Sequence, residues 1–565
     1  MKLKILFILA IAATTMLSCS EDLLDKKSLS SYNEDNVFTD YALLDAYVLG
    51  TYRGMGHPFG GDGSDFNEVL TDNAYDQHNP GLQAYTHGET SRDNGENISR
   101  SLWTNAYANI RRVNTFFEKT EGNTTIDPAD LKRATGEMRF LRAFFYAKLM
   151  KYYGGVPIIT ASAALSEDSY DIARNTADEV TNFVVSECDQ AMTELGALAA
   201  VDKGRISKEA AMALKARTLL YAASPLWNES DDMAKWQKAS DANKAVMDLG
   251  ISMLEPTEKY HELFNGKLDK EVILARYFTP QNAHGGGEWG SNLWLYPNGL
   301  GGWGTAVPTQ ALVDAYEMAD GKLISDPTSS YDDQNPYVNR DPRFAESILF
   351  NGAEFFDPKT DKTVRPMEYY RDKTDPTNTA LAGRESRNTI PAFEPWNASK
   401  TSYNFRKYTD EGKPANGDKG PNESLSPFIY FRITEFYLNY AECQIRLGND
   451  GEARSAINAV RSRVGMPGVT ESGTELLARY RNERRVEMAM EELRFDDVRR
   501  WKVGETTIGQ PVMGVDVYSN GGVIEYHYDY TVDNARKWLD KMYLLPIPYS
   551  EIQASHNTLI QNPLY

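Results

Sequence analysis

The chain has 565 residues, 41% of them hydrophobic, with 80 Asp and Glu against 60 Lys and Arg and a formal charge of −20. That length supports one large domain or two to three smaller ones with a sizeable buried core. So acidic a surface argues against nucleic acid as a partner and against a polybasic membrane contact.

Lys2 and Lys4 precede an apolar run, Ile5 to Met16, that is too short to span a bilayer core of about 30 Å. Leu17 and Ser18 then lead to Cys19. This order resembles a bacterial lipoprotein signal, with residues 1–18 removed and Cys19 lipidated. Met16 departs from it, since leucine is more usual there, and an ordinary secretory signal is the alternative. Residues 19–36 are polar and read as a tether. No later segment approaches 18 consecutive apolar residues, so no transmembrane helix is expected.

Helical periodicity begins at Thr39–Tyr52, and a Gly-, Asp- and Asn-rich stretch follows from Gly54 to Asn97. Asp127-Pro128 is an N-cap with proline at the first helical position. Leu131, Ala134, Met138, Leu141, Phe145, Leu149 and Tyr152 then recur at helical spacing, and Phe140 and Phe144 widen the stripe to two faces. Gly154-Gly155 and Pro157 end this helix. Ser207 caps a helix through Tyr221 that ends at Ser224-Pro225, and another runs from Trp236 to Leu249. From Gly250 to Pro427, Gly, Pro, Asn, Asp and aromatics dominate, with Val272–Tyr277 as a short strand. Helices return at Thr434–Leu447 and Glu452–Val464, an αα-hairpin close to the roughly 34 residues of a tetratricopeptide unit. Leu476–Trp501 reads as one long charged helix with Arg479 and Glu483 at i,i+4, its Arg–Glu runs structural, as exposed or interhelical pairs. Prolines bar helix in Tyr543–Pro548. Cys188 and Cys443 lie in helical patterns and read as buried thiols, a disulfide being the alternative in an exported chain.

Several segments together resemble the SusD/RagB family of outer-membrane nutrient-binding lipoproteins. They are Glu137–Ala143 with Tyr153–Pro157, Gly204–Ala211, Arg432–Glu442, Asn482–Arg485 with Phe495–Trp501, and Leu545–Pro548 with Gln561–Pro563. Ser20-Glu21-Asp22 also resembles the signal that places such lipoproteins on the outer face of the outer membrane. The resemblance implies a mostly α fold: a body of four tetratricopeptide-like helix pairs plus a loop-rich ligand-binding region. It divides the chain into a helical region (37–250), a loop-rich region (251–430) and a C-terminal helical region (431–565). It also implies a SusC-type TonB-dependent barrel as partner.

Ring stacking is the chemistry by which aromatic side chains hold sugars. Trp289, Trp294, Tyr296 and Trp303 fall close together among glycines 285, 286, 287, 290, 299, 301, 302 and 304. They are candidates for a stacking platform, the alternative being that the rings pack the loop onto the body. A second cluster, Asp72, Asn73, Tyr75, Asp76, Gln77, His78 and Asn79 with Tyr85, offers hydroxyl-binding side chains or else a solvated turn. Trp396 and Tyr403 are weaker candidates. No His-Glu-x-x-His, Gly-x-Ser-x-Gly or P-loop occurs, so no catalysis is expected. Asp62-Gly-Ser-Asp65 lacks the full calcium-loop ladder, so neither metal nor cofactor is expected, a lone structural calcium having no further support. The reading is an outer-face glycan- or oligosaccharide-binding lipoprotein. A surface glycoside hydrolase and a peptide-binding member of the same family are the alternatives.

Overall fold

The structure is a computed structural model and describes residues 34–59, 67–93, 96–162, 172–284, 290–415 and 424–565. Cys19 and the tether up to residue 33, the Asp62-Gly-Ser-Asp65 sequence and Trp289 lie outside the described residues.

The body is a stack of helices whose ends are written in local chemistry. Helix α1 (Tyr41–Tyr52) is capped by the Asp40 carboxylate, which accepts from the Leu43 N–H. Helix α2 spans Glu96–Thr120 and begins within the stretch read as loop. In α3 (Pro128–Tyr153) the Asp127 side chain accepts from the Ala129 N–H and Pro128 fills the first position. Gly154, at φ +78°, ends it. Met138, Phe140, Leu141, Phe145 and Leu149 are all buried, so this helix is covered on two sides. At Gly136 a β-carbon would sit 2.9 Å from Leu195 Cγ, so a bare backbone is what lets α3 meet the next helix. That helix, α4 (Ala177–Glu194), opens with a capping box formed by Thr176 and Glu179. Ser207 caps α5 (Lys208–Ala223) and Asp232 caps α6 (Met233–Met247).

Each helix from α2 to α6 packs on the next, and α6 packs on α7 (Ile433–Arg446), which packs on α8 (Asp450–Ser462). Neighbours in space are therefore separated by residues 248–432 in sequence, which form an insertion. Cys443 of α7 buries itself beside Trp236 and Ala239 of α6 and Leu220 of α5, and both Cys188 and Cys443 are buried free thiols. At the neck of the insertion, β2 (Val272–Arg276) pairs antiparallel with β5 (Phe428–Arg432). Inside the larger fold, β1 (Ala74–Asp76) pairs antiparallel with β3 (Ala306–Pro308), with Tyr75 opposite Val307.

Two elements differ from the sequence expectation. The long charged helix is two helices, α9 (Gly473–Glu487) and α10 (Arg494–Arg500), because Met490 and Glu492 adopt left-handed φ values of 64° and 63° between them. The second is an unanticipated hairpin of β6 (Val512–Asn520) and β7 (Val523–Asp533), turned at Gly521-Gly522. The two-residue strand β4 (Arg371–Asp372) adds to β6 in parallel. Both turn glycines have positive φ, as a tight hairpin connection requires.

Between residues 483 and 500 most of the Arg and Glu side chains are buried rather than exposed. Glu483 pairs with Arg343 and with Arg461 at 2.7 Å, not with Arg479, which instead reaches Glu317 and Glu471 at 2.9 Å each. Glu487 is fully buried and meets Arg343 at 2.9 Å, Arg432 at 2.7 Å and Arg463. Glu491 takes Arg432 and Lys407, each at 2.7 Å, and Glu271 takes Arg432 at 2.9 Å. Burial alone would push the Glu487 carboxyl up, but the guanidiniums of Arg463, Arg432 and Arg343 outweigh it and bring it down to about 2.

A carboxylate with a depressed folded pKa stabilises the fold above its unfolded pKa and loses that contribution as pH falls through the folded value. Denaturant titration of Glu487→Gln is expected to show a loss of about 3–5 kcal/mol at neutral pH, as for other broken buried ion pairs. The deficit relative to the parent should shrink from about pH 4.5 towards about pH 2. Glu68 has the opposite sign. It is fully buried, and burial pushes its carboxyl up to about 7 despite a 2.6 Å hydrogen bond from Asn73 Nδ2. Its contribution is complete below its unfolded pKa and is lost as pH rises through the folded value. Glu68→Gln should therefore raise Tm at about pH 8 and leave it unchanged at about pH 4 in thermal melts.

Candidate functional site

The segment from Val69 to His78 is laced to the C-terminal helices by arginines. Arg494 chelates Asp72 with two bonds of 2.9 Å, and Arg485 adds a third contact at 2.9 Å. Burial would raise the Asp72 carboxyl, but these two guanidiniums hold it well below the usual carboxylate range. Arg485 also donates to Asn73 Oδ1 at 2.7 Å, and Arg536 donates to the carbonyls of Thr71 and Ala74. Asp72 is thus turned inward and spent on structure, which corrects its expected place among the ligand contacts. Tyr85 is corrected likewise: it is 1% exposed, donates to the Met542 carbonyl at 2.9 Å and packs its ring on Phe495. Tyr75 is buried with Val307 and Val512, and its hydroxyl accepts from Gln83 Nε2 at 3.0 Å. Asp76 Oδ1 accepts the N–H groups of His78 and Asn79, a tight turn that turns His78 outward to solvent.

The glycine-flanked ring cluster also folds inward. Ser291–Leu295 is a short helix, and Trp294 and Tyr296 are buried. The Tyr296 hydroxyl donates to the Asp410 carbonyl at 3.0 Å, and its ring meets Phe355 edge-on. At Gly302 a β-carbon would lie 2.2 Å from the Tyr296 carbonyl oxygen. The glycine there lets the chain close on itself, so at this point it serves packing, not the display of rings. Trp303 is half-buried and stands perpendicular to Trp294, with ring centres 5.6 Å apart. Tyr403 is buried and donates to Gln310 Oε1 at 2.9 Å.

Trp396 is the exception. It is 67% exposed, the one tryptophan among the described residues on the open surface. It sits in the turn Pro395–Asn397, which follows Glu394 in a left-handed conformation at φ +52°. Asn397 Nδ2 closes that turn on Glu394 Oε2 at 3.0 Å. Pro391 and Pro395 each open a short 3-10 turn, Pro391–Phe393 and Pro395–Asn397, on either side of Glu394. That Pro-x-x-x-Pro-Trp pattern is the sequence signal that could have promoted Trp396 from weak candidate to leading one.

Gln77, only 6% exposed, joins this turn to the rest of the site. Its Nε2 donates to the carbonyls of Trp303 and Asn397, 3.3 Å each, and its Oε1 accepts the Lys400 N–H at 3.0 Å. His78 Nε2 lies 2.9 Å from the same Trp303 carbonyl. A carbonyl only accepts, so Nε2 carries the proton, and Nδ1 of a neutral imidazole is then an acceptor. The Lys400 ammonium reaches back to the Gln77 carbonyl at 3.4 Å, 5.6 Å from the centre of the Tyr75 ring. The result is a surface with an exposed indole, a half-buried indole, an imidazole acceptor and a cation. Such a surface can stack on the apolar face of a sugar and hydrogen-bond its hydroxyls.

A cavity of ≈ 360 Å³ lies within the helical body between α3, α5 and β5, lined by Phe144, Tyr152, Tyr221, Phe428 and Tyr430. Among its charged neighbours, Arg217 is paired with Glu435, Lys151 with Asp496 and Glu491 with Arg432. Among the described residues no group of three or more His, Cys, Asp or Glu is placed to hold a metal ion, and no helix is long and apolar enough to cross a membrane.

The SusD family model matches residues 270–565, just over half of the chain. A second model, described as starch-binding associating with outer membrane, matches residues 22–220. SusD-like protein P2 of Formosa agariphila is 24% identical over 604 residues, which cover 100% of both chains. Among solved structures, a SusD-like protein from Bacteroides fragilis is 29% identical with a TM-score of 0.76, covering 96% of this chain and 100% of that one. A SusD-like carbohydrate binding protein from the same species is 25% identical with a TM-score of 0.73, covering 92% and 99%. With the helical body, its inserted loop region and the family model in agreement, this chain belongs to the SusD family.

Proposed function

We propose that this protein is a cell-surface glycan-binding lipoprotein. It captures an oligosaccharide on the surface around Trp396, Trp303 and His78, and passes it to a SusC-type TonB-dependent transporter without breaking a bond. The carrying observation is Trp396: a large ring left two-thirds exposed on a braced turn, whose Asn397 carbonyl is bonded to Gln77, the chain neighbour of His78. An exposed indole offers a flat apolar face on which a sugar ring can stack. The SusD-like carbohydrate binding protein of B. fragilis supports the ligand class, and the family description supports the membrane. Lipidation of Cys19 would supply the anchor, each buried CH₂ contributing about 0.8 kcal/mol. Anchoring keeps the site close to its transporter, so modest affinity for the glycan suffices. Neither metal nor cofactor is needed for this chemistry.

A glycan array followed by titration calorimetry tests the reading. Wild-type protein should retain one glycan class without releasing reducing ends. Trp396→Ala should weaken binding by about fivefold, the loss of roughly 1 kcal/mol of stacking. Trp294→Ala should act on stability instead, because that ring is buried. Unchanged affinity in Trp396→Ala would remove the site from this surface. Turnover of the bound glycan would mark a hydrolase, and an empty array with retention from a peptide mixture would mark a peptide binder.

A further inference from the structure

Three chain segments that are remote in sequence build the surface around Trp396, and one side chain connects all three. Gln77 leaves the end of β1 and is buried. Its amide donates to the carbonyl of Trp303 and to that of Asn397, the neighbour of Trp396, and accepts from the N–H of Lys400. Both faces of the amide are thereby used, donor towards two carbonyls and acceptor towards one N–H, which no other side-chain type of that length supplies. The approach is close: at Gly304, φ +51°, a β-carbon would stand 2.9 Å from Asn404 Nδ2, 3.3 Å from the Asn397 carbonyl and 3.5 Å from Gln77 Nε2. The Trp396 turn has its own internal bond from Asn397 to Glu394, but that bond does not fix the turn against Trp303.

We infer that Gln77 is a positioning residue for the glycan surface: it touches no ligand, and it sets the spacing between the Trp396 ring, the Trp303 ring and the Lys400 ammonium. The inference rests on the glycan-binding reading for its purpose but not for its test. His78 shares only the Trp303 carbonyl, so its influence is confined to that ring. Gln77→Leu removes all three bonds. Gln77→Glu keeps an acceptor for the Lys400 N–H and sets an oxygen against two carbonyls, which separates the donor role from the acceptor role.

The test uses the full chain labelled with 5-fluorotryptophan, each ¹⁹F resonance assigned by a Trp→Phe replacement. Gln77→Leu and Gln77→Glu should shift or broaden the Trp396 and Trp303 signals and leave Trp236, buried in the helical body, unchanged. His78→Ala should move Trp303 and not Trp396. Trp396 and Trp303 signals unchanged in both Gln77 variants would overturn the inference. If Gln77→Leu also moves Trp236, Gln77→Asn, which keeps the amide and loses its reach, takes its place under the same prediction. Affinity electrophoresis in soluble starch and in laminarin adds a binding readout. Gln77→Leu should weaken retention by about fivefold in the parent and by less than twofold in a Trp396→Ala background, since coupled sites are non-additive. Equal losses in both backgrounds would show that Gln77 acts independently of the ring and would overturn the inference. Retention of wild-type protein by neither glycan would count against the glycan reading, while the ring signals would still decide the role of Gln77.

Discussion

Glu487 is the point where the insertion and the helical body are tied together. It ends α9 and receives Arg343 from the inserted region, Arg432 from the end of β5 and Arg463 from just beyond α8. Arg432 in turn meets Glu271, which precedes β2, and Glu491, which holds Lys407 of the insertion. The neck through which the insertion leaves and re-enters the helical stack is therefore clamped by ions buried away from water. Such a network costs desolvation and is repaid only when every member is paired. Its members come from both the insertion and the helical body, so the network ties the one to the other. The same helices extend the clamp outward: Arg485 and Arg494 grip Asp72, and from Asp72 the chain runs straight to Gln77 and His78.

The helical body was largely legible because its signals are local. Asp127-Pro128, Ser207 and the apolar stripe of α3 each announce an element without reference to anything distant. The break at 488–493 was not legible, because Glu-Met-Ala-Met-Glu-Glu-Leu is a good helix-forming run by propensity. Its left-handed residues fit a tertiary demand: Glu491 is turned towards Arg432 and Lys407. The β6–β7 hairpin carried a signal, the Gly-Gly pair between alternating runs, that the helical context around it obscured.

The site was half legible. Sequence placed the turn at 75–79 and Trp303 among the candidates, and the structure brings Gln77, His78 and Trp303 together. Composition could not say whether glycine beside an aromatic ring marks a loop on display or a chain folded tightly on itself. At Tyr296 and Gly302 it is the second, with backbone and ring too close for any side chain. Nor could sequence anticipate that Gln77 bonds to Asn397 across 320 residues, which is what makes Trp396 part of the same surface.

Burial thus sorts the aromatic residues into two uses: most fill the core, while Trp396 stays outside on a braced turn. The central claim is that this ring is the floor on which a sugar rests. A crystal structure of the protein with the oligosaccharide that it retains tests that claim most directly. The account predicts a sugar ring stacked on the Trp396 indole, with a hydroxyl within hydrogen-bond reach of His78 Nδ1. A sugar bound elsewhere on the molecule, with the Trp396 ring bare, would contradict it.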